Sequence, residues 1–143
     1  MGFEIRNNNS KEILSQVSSK ITKGLEECGM MAEKFASNKL TAELNASPKS
    51  EWYKRTGALR NSIGHKVDAS KHQMIIGAGE DYASYVEMGT GINYSGGRRT
   101  SWVYKGSDGK FHMTNGMKAR PFIKPSIADH ADVYNKILAE NLK

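Results

Sequence analysis

The chain has 143 residues, a mean hydropathy of −0.61 and a formal charge of +6. That length predicts one domain, 1–143, with its own small core beneath a polar exterior. The sequence has no run of eighteen apolar residues, so no helix that crosses a membrane is expected. MGFEIRNNNS has neither the basic nor the apolar region of a signal peptide, and Arg6 stands where a myristoylation motif takes Ser or Thr. Cys28 is the single cysteine, which excludes an intramolecular disulfide and fits a reducing compartment. The expectation is a soluble cytosolic product.

The charge is uneven. Six Lys/Arg face six Asp/Glu in residues 1–47, thirteen face six in 48–125, and two face three in 126–143. The excess therefore lies in the middle, where it would attract a polyanion in a salt-dependent way. Scattered solvated lysines would give the same sum.

In chain order, Phe3 and Ile5 alternate with Glu4 and Arg6, as in a short strand or arm. Asn9 with Glu12 makes a partial capping box. Leu14, Ile21, Cys28 and Phe35 then recur every seven residues, with Val17, Gly24 and Met31 between them and Leu25 and Ala32 widening the stripe. This predicts one long amphipathic helix over about 9–45, lying across a sheet, with a coiled-coil seam as the alternative. Gly24 and Gly29 mark a bend or a close crossing, and Cys28 is read as a small buried hydrophobe. A linker with Pro48 follows.

The segment 55–90 is read as sheet and short helices. RTGALRNSI (55–63) has Thr56 as N-cap and Leu59 and Ile63 four apart on one face, with Arg55 and Arg60 pointing elsewhere. His65, Val67, Met74, Ile76 and Ala78 alternate around a break at 68–71, which predicts a β-hairpin. In YASYVEMGTG (82–91), Tyr82, Tyr85, Val86 and Gly89 have the spacing of one helical face. Asp81 would cap this helix and Gly89 would stop it in a left-handed conformation.

Residues 91–118 form a glycine-rich insertion with one hairpin, Ser101–Lys105 and Lys110–Thr114 around the loop 106–109. Pairing 105 with 110 would set Trp102, Tyr104, Phe111 and Met113 on one face and Val103 and His112 on the other. Such a face suits a partner surface as well as intramolecular packing. Pro121 and Pro125 fix an extended segment ahead of a final helix, 125–142, striped by Ile127, Ala131, Tyr134, Leu138 and Leu142.

No catalytic, cofactor-binding or metal-binding constellation is recognised. His65, His72, His112 and His130 lack metal-ligand spacing, and Gly77-Ala-Gly79 lacks the third glycine of a dinucleotide fingerprint. Glu80, Asp81 and Glu87 cluster without a nucleophile. The expectation is a protein that is not an enzyme.

RTGALRNSI, YASYVEMGTG and ARPFIKPSI (119–127), in that order behind a long helix, resemble the signature of tailed-bacteriophage head–tail joining proteins, also called neck or tail-completion proteins. The matching positions are Thr56, Gly57, Leu59, Arg60, Tyr82, Tyr85, Val86, Glu87, Gly89, Thr90, Arg120, Pro121, Phe122 and Pro125. The resemblance extends over nearly the whole chain, departing at Met88, where phenylalanine is more familiar. It implies an α+β fold, with a small antiparallel or mixed sheet packed by the long N-terminal helix and a C-terminal helix, and a protruding β-hairpin loop. It also implies a structural virion protein at the head–tail junction, made in the bacterial host cytoplasm during assembly. Copies would form a ring between connector or stopper proteins and the tail tube, without cofactor or membrane. We assign the Trp102, Tyr104, Phe111 and Met113 face to an interface in that ring. Arg98 and Arg99 would meet carboxylates of the adjoining protein or packaged DNA. Two alternatives stand beside this: a nucleic-acid-binding module using the basic middle with Trp52, Tyr53, Tyr94 and Trp102, and a minor capsid or tail-terminator protein.

Overall fold

Helix α1 (Ser10–Ala46) is the element on which the rest is mounted. At 1.5 Å per residue it runs about 55 Å. The computed structural model describes residues 2, 9–46 and 57–143. The arm at Phe3 and Ile5, the Pro48 linker, Trp52, Tyr53, Arg55 and the proposed cap Thr56 lie outside those residues. After α1 come α2 (Ala58–Asn61), strands β1 (Ile63–Asp68) and β2 (Gln73–Ala78), and α3 (Ala83–Met88). A 3-10 turn (Gly91–Asn93), strands β3 (Trp102–Lys105) and β4 (Phe111–Thr114), and helices α4 (Ile123–Ala128) and α5 (Ala131–Asn141) complete the order. The fold is α+β, with two separate two-stranded antiparallel sheets, β1–β2 and β3–β4.

The buried residues of α1 are Gly24, Cys28, Gly29, Ala32, Ala36 and Leu40, mostly a row at four-residue spacing. Small side chains in such a row let neighbouring elements approach the helix backbone, and the row winds gently around the axis. The larger residues of the expected stripe, Ile21, Leu25, Met31 and Phe35, flank it half-buried. Leu14 and Val17 depart from expectation: residues 10–17 are exposed throughout, because the packed body begins only beyond them.

Both helix glycines mark close crossings. A methyl group at Gly24 would meet Leu138 of α5 at 2.9 Å, and one at Gly29 would fall inside the His65 imidazole. α5 and the His130 just ahead of it make further contacts with α1. Asn141 Nδ2 donates to Glu27 Oε2 at 3.0 Å. The Cys28 thiol donates to the Tyr134 carbonyl at 3.7 Å. Phe35 stacks on His130 with centroids 3.6 Å apart and planes within 7°. Burial, with Glu27 adding to it, pushes the Cys28 thiol pKa up, which fits a packing role.

The first hairpin forms as expected, and its pairing sets the faces. Ile63 pairs with Ala78, His65 with Ile76 and Val67 with Met74, so these six share the face turned to α1. Its turn is held by Asp68, whose Oδ1 accepts from Ser70 N at 3.0 Å and Ser70 Oγ at 2.6 Å.

The C-terminal helix differs from the expected 125–142. Helix begins two residues earlier, at Ile123, and is interrupted at Asp129–His130, where His130 leaves helical geometry (φ −127°, ψ 24°) to lie flat on Phe35. The interruption shifts the phase of the stripe. Tyr134 and Leu138 face the body, whereas Ile127 and Leu142 are exposed.

The core proper is formed by Ala36 and Leu40 of α1 with Leu59, Val86 and Phe122, surrounded by Leu44, Ile63, Ile76, Ala78, Ala83, Met117 and Ile123. Each of the three sequence stretches singled out above contributes one buried side chain to this cluster.

Helix propensity alone favours alanine over glycine by about 1 kcal/mol. At position 29 the His65 ring reverses that sign, so Gly29→Ala is expected to lower the urea midpoint of unfolding. In a His65→Ala background the same substitution is expected to raise it.

Candidate interaction site

The expected caps of α3 give way to a different arrangement. Its N-cap position is Tyr82 and no side chain makes a capping bond there, so Asp81 does not cap it. Val86 and Gly89 are buried, but Tyr82 and Tyr85 are exposed, so the four do not share one packed face. Gly89 ends the helix at φ 79°, ψ 176°, an extended conformation with positive φ that is nearly closed to residues with a Cβ, and not the left-handed helical one. A Cβ there would also come within 2.9 Å of the Ala119 amide nitrogen and the Met117 carbonyl.

This close approach is one end of a strap. Arg120 N donates to Val86 O at 2.7 Å, Thr90 N to Met117 O at 2.9 Å and Ile92 N to Asn115 O at 3.0 Å. Met117 N donates to Thr90 Oγ1 at 2.8 Å. Glu87 completes it: its carboxylate accepts from Phe122 N (2.7 Å), Ile123 N (2.9 Å) and Lys124 N (2.9 Å). A helix start leaves four amides without intrahelical partners. In α4 three are taken by Glu87, and the fourth position is Pro125, which has none to satisfy.

The strap closes the base of the insertion, and the ribbon β3–β4 rises from it. Its register is Trp102 with Thr114, Val103 with Met113, Tyr104 with His112 and Lys105 with Phe111. This is one residue away from the expected pairing, and a one-residue slip changes the face of every side chain on one strand. The cause is the loop. Gly109 N donates to Gly106 O at 3.0 Å and Gly106 N to Lys110 O at 2.8 Å. Gly109 lies at φ +77°, giving a three-residue connection of the type I plus bulge kind in place of a four-residue one. Phe111 and Met113 therefore do not share a face with Trp102 and Tyr104.

One face carries half-buried Trp102, Tyr104, His112 and Thr114. His112 Nε2 lies 3.0 Å from Asp108 Oδ2, and the Tyr104 ring is 5.8 Å from the imidazole. The other face carries Val103, Lys105, Phe111 and Met113, the three apolar residues being 55%, 74% and 76% exposed. Arg98 lies 5.7 Å from the Trp102 ring, its Nε donating to Thr100 Oγ1, and Arg99 donates to the Ile92 carbonyl. Both arginines thus help hold the root of the ribbon as well as presenting charge.

A second polar cluster escaped the sequence reading. His65 Nε2 lies 2.8 Å from Glu26 Oε2 and its Nδ1 2.5 Å from Glu33 Oε1, which also accepts from the His65 amide at 3.0 Å. A neutral imidazole can donate to one carboxylate only, whereas the cation donates to both. The bond to Glu26, with Glu33 adding to it and burial working against it, raises the His65 pKa above its ordinary value. Glu26 and Glu33 are seven apart on α1, a spacing that in retrospect faces both carboxylates the same way. Among the described residues no three metal-ligating side chains gather to hold an ion.

Two measurements check these arrangements. Glu87→Ala is expected to cost about 2 kcal/mol or more in urea unfolding, and Glu87→Gln less, since the amide retains one acceptor oxygen. For His65 the folded pKa is the raised one. Its contribution to stability should be complete below the unfolded pKa of about 6.5 and lost as pH rises through the folded pKa. NMR titration should show that raised pKa, and Glu26→Gln should lower it.

A family model described as "Bacteriophage HK97-gp10, putative tail-component" matches residues 5–89. The match takes in α1, α2, the first hairpin and α3 through Gly89, and stops before the insertion and ARPFIKPSI. No curated protein and no solved structure matched the chain. Membership in a tail-component family implies a structural part of the virion that touches other phage structural proteins. The chain belongs to the HK97-gp10-like family of phage tail components.

Proposed function

We propose that this tail component acts in head–tail joining or tail completion, as several copies arranged in a ring between the connector or stopper and the tail tube. The observation that carries the proposal is the ribbon β3–β4. A strap of backbone bonds and the Glu87 carboxylate fix its base, and its outward face exposes Val103, Phe111 and Met113. Exposed apolar side chains grouped on one face of a ribbon suit a docking surface, and this supports an assembly role. Copies in a ring meet through unlike patches, one on each neighbour. The interface face is the one built from Val103, Lys105, Phe111 and Met113. Arg98 and Arg99 at the root of the ribbon supply positive charge toward carboxylates of the adjoining protein.

Replacing residues 101–114 by a short Gly-Ser link leaves the strap bonds at Ile92, Thr90 and Arg120 in place. The expected outcome is a folded protein, by circular dichroism, that no longer supports infectious particles, with filled heads and unattached tails seen by electron microscopy. Normal particle yield from the folded deletion variant would remove the ribbon from the assembly interface.

A further inference from the structure

Resting on that assembly reading, we infer that the outward ribbon face of one copy docks on the exposed face of α3 in the next copy. Tyr85 and Met88 stand three apart on α3 and Asp81 lies in the turn just ahead of it; all three are exposed, Tyr85 to 58%. This gives an apolar strip with a carboxylate at its upstream end. The ribbon offers the counterpart, an apolar strip of Val103, Phe111 and Met113 with the Lys105 ammonium among them.

Charge favours the pairing. Between residues 80 and 95 the only charged side chains are Glu80, Asp81 and Glu87, and Glu87 is engaged by α4. Between 98 and 118 they are Arg98, Arg99, Lys105, Lys110 and Lys118 against Asp108. An acidic receiving segment and a basic inserting one on the same chain repel their own kind and attract each other, which sets a head-to-tail orientation. Within one copy both strips stay exposed, so the ribbon does not cover its own α3. Donor and receiver thus remain open at once, as a closed ring requires. A few side chains on each side form much less than the roughly 800 Å² per partner of a stable pair. The contact therefore belongs to the assembled joint, where neighbours are held together, and an isolated dimer is not expected.

The test uses particles assembled with a chain carrying both Phe111→Cys and Tyr85→Cys, treated with a short bis-maleimide. The expected result is a ladder of covalent multimers of this chain, absent from either single variant; the native Cys28 is buried and serves as the common background. Should the double variant fail to assemble, Met113→Cys with Met88→Cys repeats the measurement one position along each strip. Particles that hold several copies at the joint yet give no ladder would overturn the inference and leave the ring standing. So would linkage of the Phe111→Cys single variant to a different virion protein. A single copy per particle would take down the ring reading itself. Charge adds an independent readout: Lys105→Glu and Asp81→Lys should each lower particle yield about tenfold, and the chain carrying both should recover it. A doubly reversed chain no better than either single one would remove the pairing.

Discussion

The Glu87 carboxylate is the point through which the rest of the structure is tied. It sits on α3, yet it satisfies the amides that open α4, 35 to 37 residues further on. Charge-assisted bonds of this kind are stronger than neutral ones, and three of them converge on one side chain. With Pro125 in the remaining place, the start of α4 is settled without any local capping residue. The bonds also fix where the insertion begins and ends, because everything between Gly89 and Arg120 must leave from and return to the same spot. A long excursion from a compact body is thereby given a rigid base, and its tip can be aimed.

The same economy applies on the other side of the molecule. α1 carries few large buried side chains, so it does not hold its neighbours by volume. It holds them by proximity, with Gly24 admitting Leu138 and Gly29 admitting His65. Proximity brings the His65 ring between Glu26 and Glu33, where the protonated form is favoured. The ion pair and the glycine are thus one feature. Without the missing side chain at position 29 the ring could not lie over the helix, and without the two carboxylates a close, largely covered imidazole would have less reason to be charged.

Much of this was legible in the sequence where the signal is local. The long helix and the first hairpin follow from periodicity and from turn residues, and the small α+β architecture from the family resemblance. What misled was the count of residues in one loop: GSDG reads as four, but Gly109 with positive φ makes a three-residue connection, and the parity of the loop decides every face of the ribbon. The C-terminal helix misled for a tertiary reason. Its break at His130 is made by stacking on Phe35, 95 residues earlier, which no local pattern announces. Glu87 was seen as one of a carboxylate cluster and as a position of the family signature, without a structural role; its partners are backbone amides, which carry no sequence signature. Leu59, Val86 and Phe122 are different again. Each stretch could be recognised, but that they meet in one cluster with Ala36 and Leu40 belongs to the fold.

The distribution of apolar residues is the feature on which the proposed assembly role draws. Its buried set is small and made largely of alanine, cysteine and single large residues, while bigger side chains stand outside at Leu14, Val17, Tyr85, Met88, Val103, Phe111 and Met113. Single exposed hydrophobes are ordinary on any protein. These fall in groups, on the first turns of α1, on α3 and on the ribbon, and the last two are joined by the strap that fixes their separation. A core this modest supports the frame, and the clustered surface is where the proposed docking would take place. Had the same side chains been turned inward, the chain would be more stable alone and would offer its neighbours in the virion nothing to grip. The division of apolar residues between inside and outside is therefore what the proposed assembly role draws on in this chain.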